Sequence, residues 1–350
     1  MEKSDFDIQQ YHKMLCEDPP DFLKIYTRLS LLQRLDGVGL LCGTDWTPLF
    51  QNKFYYSRLD HSIGTALIVW NFTHDKKQTL AGLMHDISTP AFSHVIDFMN
   101  GDAATQESIE EPTKRMINED MDLSTLLFSH GIYKYEIDNY HLYPVADNDL
   151  PGLNADRLEY MYPSGAALGG IWTMDDIKRN YAEVTVLKNE HSYDELGFNS
   201  LEAAREYTEK FLETSMILQK NEDKIAMQLM ADVIQRAIEC GYIMEEDLYI
   251  LEEEYIIRKF DSIASRKLDE KFTRLYTTFR EMKKIIRSPE PMDNAYCVSM
   301  NVKKRYVDPL VKNEIGGAYR LSSICPEAKA FIDDFLAFKD SAYGCVSWES

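Results

Sequence analysis

Leu80-Ala81-Gly82-Leu83-Met84-His85-Asp86-Ile87-Ser88-Thr89-Pro90-Ala91-Phe92-Ser93-His94 is the stretch on which the fold turns. Leu80, Leu83 and Met84 recur at helical spacing, so a helix is expected over 78–86. A His-Asp doublet closes it. Such a doublet at the end of a buried helix is costly to leave unpaired. A cation resolves that cost, and an imidazole nitrogen beside a carboxylate oxygen suits Zn, Fe, Mn or Ni.

Working outward, Tyr55-Tyr56-Ser57-Arg58-Leu59-Asp60-His61 leads into a second helix, expected over 61–74 from Ile63, Ala66, Leu67 and Trp70. His61, on its own helix, can approach the doublet from the side. A hydrolytic metal then wants a fourth protein ligand, a carboxylate, with positions left open for water or substrate. Downstream, Ser88-Thr89-Pro90 reads as a cap with Pro at the first helical position. The helix it opens is expected to run over 90–99 and stop at Asn100-Gly101. Its apolar residues leave Ser93, His94 and Asp97 as one polar stripe. Asp97, three residues beyond His94, can bias that ring's tautomer or raise its pKa. This suits His94 as a general acid for a leaving group or as a phosphate anchor.

Long helices also fit 200–219, 221–240 and 266–287, with a final one at 326–338. Residues 101–113 and 141–153 read as loops. After Ser288 the texture changes, and 296–302 alternates as a strand. Ile315-Gly316-Gly317-Ala318-Tyr319 reads as a turn into another. The expectation is a mostly α protein, with a helical domain over 1–288 and a small α+β region over 289–350.

Three segments together resemble the HD superfamily of metal-dependent phosphohydrolases, and most closely its deoxynucleoside triphosphate triphosphohydrolase-like branch. Arg58-Leu59-Asp60-His61-Ser62-Ile63-Gly64 resembles R-x-x-H-S-x-G. Residues 83–94 resemble L-x-H-D-x-G-H-x-P-F-S-H, and Asp156-Arg157-Leu158-Glu159-Tyr160 resembles D-[RK]-x-D-Y. Order and spacing hold from about residue 20 to about residue 310.

The resemblance implies an HD-type helical core and one divalent ion (Zn, Fe, Mn, Ni or Mg) on His61, His85, Asp86 and Asp156. It implies a phosphohydrolase acting on a nucleotide, a deoxynucleoside triphosphate included, and a homo-oligomer. Arg58 would contact phosphate and steady charge, His94 with Asp97 would assist the leaving group, Gln33 would read the sugar and Tyr160 a phosphate. By themselves these residues also admit plainer readings. Asp156 could be an acidic residue near a helix N-terminus capped by Asn154. Arg58 could pair at the surface with Asp60 or Asp75, and Tyr160 could be a core aromatic.

Three departures from the pattern thin the acid–base groups. Ser88 stands for the glycine and Thr89 for a histidine, while Gln106-Glu107 stands where the branch has a His-Glu pair. Glutamine cannot transfer a proton near neutral pH. The alternative is therefore a degenerate HD protein, a sensor or partner-binding module that holds metal and nucleotide with little turnover.

Composition excludes other classes. The 350 residues carry 38 Lys plus Arg against 58 Asp plus Glu, a formal charge of −20, unsuited to coating nucleic acid or an anionic membrane. Residues 258–312 are locally basic, with 14 basic and 7 acidic side chains, and read as a solvated, paired face rather than a nucleic-acid site. The cysteines, Cys16, Cys42, Cys240, Cys297, Cys325 and Cys345, are scattered without a CxxC pair, so reduced thiols are expected. A polar N-terminus and the lack of a membrane-length apolar run complete the expectation of a cytoplasmic protein.

Overall fold

The computed structural model of the chain describes residues 6–104 and 110–348. Its centre is a hairpin of two helices, Arg58–Thr73 and Lys76–Met84. The first starts ahead of its apolar period because Ser57 and Asp60 form a capping box, each side chain bonding the other's backbone N–H. Arg58 thereby becomes its first residue. His74, at φ +50°, turns the chain, and Asp75 caps the second helix through the amides of Lys77 and Gln78. That helix ends at Met84, so the His85-Asp86 doublet sits in the turn just beyond it rather than inside a helix over 78–86.

The expected helix over 90–99 is shorter. Residues 91–94 form turns, with Phe92 and Ser93 both at positive φ, and only Val95–Met99 is helical. The amides of Ala91 and Phe92 are bound elsewhere, to the Leu248 carbonyl (2.7 Å) and the Glu253 carboxylate (3.0 Å). The helix expected over 266–287 is also shorter, running over Glu270–Glu281. Helices Glu253–Ser265 and Glu270–Glu281 are separated by Lys267 at φ +52° and by Asp269, whose carboxylate caps the second and takes two bonds from Arg236. Part of the 101–113 loop is instead the start of helix Glu110–Glu119.

Two sheets join the helical body to the C-terminal region. One has the order β1 (Val184–Lys188), β2 (Asp194–Phe198), β5 (Leu310–Lys312), β6 (Ala318–Arg320). Its β2–β5 pairing is parallel and its outer pairings antiparallel. The other places β7 (Tyr343–Ser347) between β3 (Ile286–Ser288) and β4 (Ala295–Val298). Strands β1 and β2 lie in the part read as helical, so sheet structure straddles the 288/289 division. The strand expected over 296–302 ends at Val298, and 299–309 runs on as irregular chain.

The expectation of six reduced cysteines is corrected as well. Cys297 and Cys345 face each other across β4 and β7 and are disulfide-bonded. Their 48-residue separation hides a register that only the sheet creates.

Buried apolar residues form two large clusters. One gathers around the 58–84 hairpin and the helices Ala155–Leu168 and Leu201–Gln219; the other surrounds Asn221–Glu239. Among the described residues, no helix is long and apolar enough to cross a membrane.

Close packing at β2 gives a direct test. A Cβ on Gly197 would lie 2.5 Å from the Leu310 carbonyl oxygen and 2.8 Å from Leu187 Cδ1. Gly197→Ala is expected to lower the unfolding free energy by about 1–3 kcal/mol, read as a shifted denaturant midpoint.

Candidate metal centre and its cavity

His61 lies on the first turn of Arg58–Thr73, His85 and Asp86 just after Lys76–Met84, and Asp156 near the start of Ala155–Leu168. Placement of Asp156 depends on the β1–β2 hairpin. Leu153 bridges to Leu196 of β2, and its amide also donates to the buried Glu195 carboxylate (3.2 Å). Asn154 then caps the helix by accepting from the Arg157 amide (2.7 Å).

The two imidazoles are oriented from behind. His61 Nδ1 donates to Glu159 Oε2 (2.5 Å), and His85 Nδ1 donates to the Gly82 carbonyl (2.7 Å). Both Nε2 atoms, 3.2 Å apart, therefore face the same point, where each offers a lone pair once its ring is neutral. Asp156 Oδ1 is 3.0 Å from His61 Nε2 and 3.5 Å from His85 Nε2, while Asp86 lies 3.7 Å from His61 Nε2 through Oδ2 and 3.7 Å from His85 Nε2 through Oδ1. One donor atom from each of His61, His85 and Asp86 falls within a 4.8 Å group. Two converging lone pairs ringed by carboxylates repel one another unless a proton or cation sits among them, so the donor set fits a divalent metal.

Titration behaviour follows the same charge excess. Burial pulls the His61 imidazole down, but its bonds to Asp156 and Glu159 and their charges outweigh this and raise it to about 10. Burial also raises the Asp86 and Asp156 carboxyls. The Arg58, His85 and His61 charges override it at Asp86, and the bonds from His61 and His85 do so at Asp156, leaving both well below the usual carboxylate range.

Glu159, absent from the expected site, is fully buried and also accepts from the Tyr56 hydroxyl (2.6 Å). Gly64 makes room for it, since a Cβ there would lie 2.4 Å from Glu159 Oε1. The signal was in the sequence. Glu159 lies three residues after Asp156 on one helix, and Gly64 three after His61 on another, so both face the same gap.

Arg58 is buried rather than at the surface. Its Nη1 meets Asp86 Oδ2 at 2.7 Å and its Nε donates to Ser93 Oγ (3.1 Å), which in turn donates to the Gly39 carbonyl. His94 Nδ1 bonds Asp97 Oδ2 at 2.9 Å. The bond to Asp97 raises the His94 imidazole as expected, but burial outweighs it and the Arg305 and Arg58 charges add to burial, so the group is lowered overall. Tyr160 faces His61 edge-on, with ring centroids 6.4 Å apart. Gln33 is not brought to the site. It is exposed and bonds the Thr27 carbonyl, because the short helical turns at 30–37 point it outward. Thr89 is buried and does not line the cavity, and Gln106-Glu107 lies outside the described residues.

Arg58, His61, His85, Asp86, His94, Asp156 and Tyr160 line a cavity of about 480 Å³. Its walls draw Leu40 from one apolar cluster and Phe98 and Met227 from the other, placing it at their seam. Two further features escaped the sequence reading. His141, in the segment read as a loop, bonds Asp147 Oδ2 through Nδ1 (2.6 Å), and both line the cavity. Val302, Lys303 and Arg305 enter from the irregular 299–309 segment, held where the Lys303 amide donates to the Ala103 carbonyl and its own carbonyl accepts from Gln219.

No protein-family model matches the chain. An uncharacterized protein of Bacillus subtilis (strain 168), YdhJ, is 22% identical over 265 residues, covering 75% of this chain and 76% of that protein. The metal-dependent phosphohydrolase cns2 of Cordyceps militaris is 28% identical over 148 residues, 42% of this chain and 41% of that protein. Two solved structures share the fold. A hypothetical protein from Aquifex aeolicus has a TM-score of 0.62 at 14% identity, covering 94% of this chain and 92% of its own. A phosphohydrolase from Bacteroides thetaiotaomicron VPI-5482 has a TM-score of 0.61 at 16% identity, covering 94% and 96%.

Two expectations follow from the supporting residues. Glu159→Gln keeps the size of the group behind His61 but removes its charge, so metal affinity should fall about 10- to 100-fold in a chelator-competition titration. Glu253, which accepts from the amides of Gly39 and Phe92 and from the Trp46 indole, is pushed by burial up to about 7 from 4.5. A raised carboxyl favours the folded state while protonated. Its contribution is full below pH 4.5 and is lost as pH rises to about 7. Glu253→Gln should flatten that loss in denaturation midpoints measured across this window.

Proposed function

We propose that the chain is an HD-type metal-dependent phosphohydrolase that cleaves a phosphate ester or anhydride of a nucleotide, with deoxynucleoside triphosphates among the substrates to try first. The observation that carries this reading is the pair of Nε2 lone pairs converging between Asp86 and Asp156 at the wall of the cavity. The name of cns2 and that of the Bacteroides structure support it. His61, His85, Asp86 and Asp156 would hold the ion, which when bound supplies charge to phosphate oxygen and acidity to water.

The chain's own groups do the rest. Arg58, fixed between Asp86 and Ser93, keeps a guanidinium beside the metal ligands, where it faces charge developing on phosphate. Lys303 and Arg305 add positive charge to the same cavity and attract an anionic substrate. His94, held by Asp97 and lowered by burial, is neutral at neutral pH and suits hydrogen bonding to phosphate. His141, oriented by Asp147, then takes the role of delivering a proton to the leaving oxygen. Leu40, Phe98 and Met227 offer apolar wall to a nucleoside.

The test is to incubate metal-loaded protein with a nucleotide panel and separate the products. Triphosphate release supports the triphosphohydrolase branch, and orthophosphate a phosphatase. Saturable, metal-dependent nucleotide binding with no product would support the sensor alternative and overturn the enzyme. His141→Ala should reduce kcat about 100-fold on nucleotides but little on p-nitrophenyl phosphate, whose leaving group needs no proton.

A further inference from the structure

Asp223 is a buried carboxyl in the wall of the same cavity, and the chemistry above does not use it. Only 8% of it is exposed, and among the described residues it has no hydrogen-bond partner or ion pair. It lies in the first turn of helix Asn221–Glu239, where the helix dipole favours a carboxylate. Its neighbours meet that need with partners of their own. Asn221 bonds Asp340 and Ser341, and Glu222 pairs with Arg287. Asp223 alone on this turn faces the cavity.

Cys42, Arg58 and Arg305 line the same cavity; burial raises the Cys42 thiol, the Asp223 charge adds to this and the two arginines oppose it. Leu218, Met227 and Val302 also line the cavity and supply apolar wall. A buried acceptor without a donor carries a desolvation cost that a bound molecule can relieve.

Resting on the phosphohydrolase reading, we infer that Asp223 is a specificity-determining residue that accepts a hydrogen bond from a hydroxyl or amino group on the nucleoside part of the substrate. The phosphate is met by the metal ligands, Arg58, Lys303 and Arg305; the leaving group is met by Asp223. Burial raises this carboxyl to about 7 despite the Arg305 and Lys224 charges. A substrate lacking that donor leaves the carboxyl unpaired and is discriminated against.

The experiment compares kcat/KM of the metal-loaded wild type, Asp223→Asn and Asp223→Ala on nucleotides and on p-nitrophenyl phosphate. Asp223→Ala should lose about 10- to 100-fold on nucleotides and stay within about twofold on p-nitrophenyl phosphate. Asp223→Asn, which preserves shape, should move in the same direction and guards against loss of fold. An equal loss on both substrates, or no loss on nucleotides, overturns the inference.

Two further arms locate the donor. Lost discrimination between adenosine and inosine nucleotides places it on the base, and between ribo- and deoxyribonucleotides on the sugar. Should the wild type turn over neither substrate class, the phosphohydrolase reading fails by itself. Equilibrium dialysis of the same nucleotides then judges Asp223: weakening by about 10- to 100-fold in Asp223→Ala sustains the role, and unchanged affinity overturns it.

Discussion

Two imidazole nitrogens facing each other across 3.2 Å, with carboxylates around them, are the arrangement on which the rest of this structure depends. Neither lone pair can turn away, because each ring is tied at Nδ1, one to a buried carboxylate and the other to a backbone carbonyl. The strain of that meeting is electrostatic, and a bound cation turns it into attraction. Tying the rings in advance would reduce the reorganisation that binding an ion requires. Much of the surrounding fold maintains the ties. The capping box starts the His61 helix at Arg58, Gly64 admits Glu159, and Leu153 pairs with β2 so that Asp156 enters from the third side.

What could be read from the sequence was what depends on local periodicity. The helical hairpin was legible because its apolar residues keep helical spacing, and the doublet because it interrupts an apolar run. Boundaries drifted where a cap rather than a hydrophobic residue sets them, as at Ser57. The turn at 91–94 was illegible for a different reason. Phe92 donates to Glu253, 161 residues away, and no local pattern announces so distant a partner. The same holds for β2, whose five residues Asp194–Phe198 show no alternation and are defined by their pairings.

The site divides along the same line. Residues carried by the quoted motifs converge, but those that orient them or complete the cavity come from elsewhere. Glu159 could have been found from its spacing to Asp156, had that helix been read together with Gly64. His141, Asp223 and Arg305 could not, since they reach the cavity from three segments with no common motif. Gln33 errs in the opposite direction. The family resemblance alone suggested a site residue, yet the short turns around it direct the side chain to solvent.

The net charge of −20 then has a structural counterpart. Carboxylates gather where a cation is wanted, at Asp86 and Asp156, while Lys303 and Arg305 line the same cavity from the C-terminal side. Those two belong to the locally basic stretch, but strand pairing determines where they go. β4 on one side of 299–309 and β5 on the other are held in separate sheets, so the segment between them is drawn past the helical body. The parallel β2–β5 pairing and the Leu153–Leu196 bridge share strand β2. One short strand therefore anchors both Asp156 and the segment carrying the cations, and couples the C-terminal region to the site without any charge of its own in the cavity.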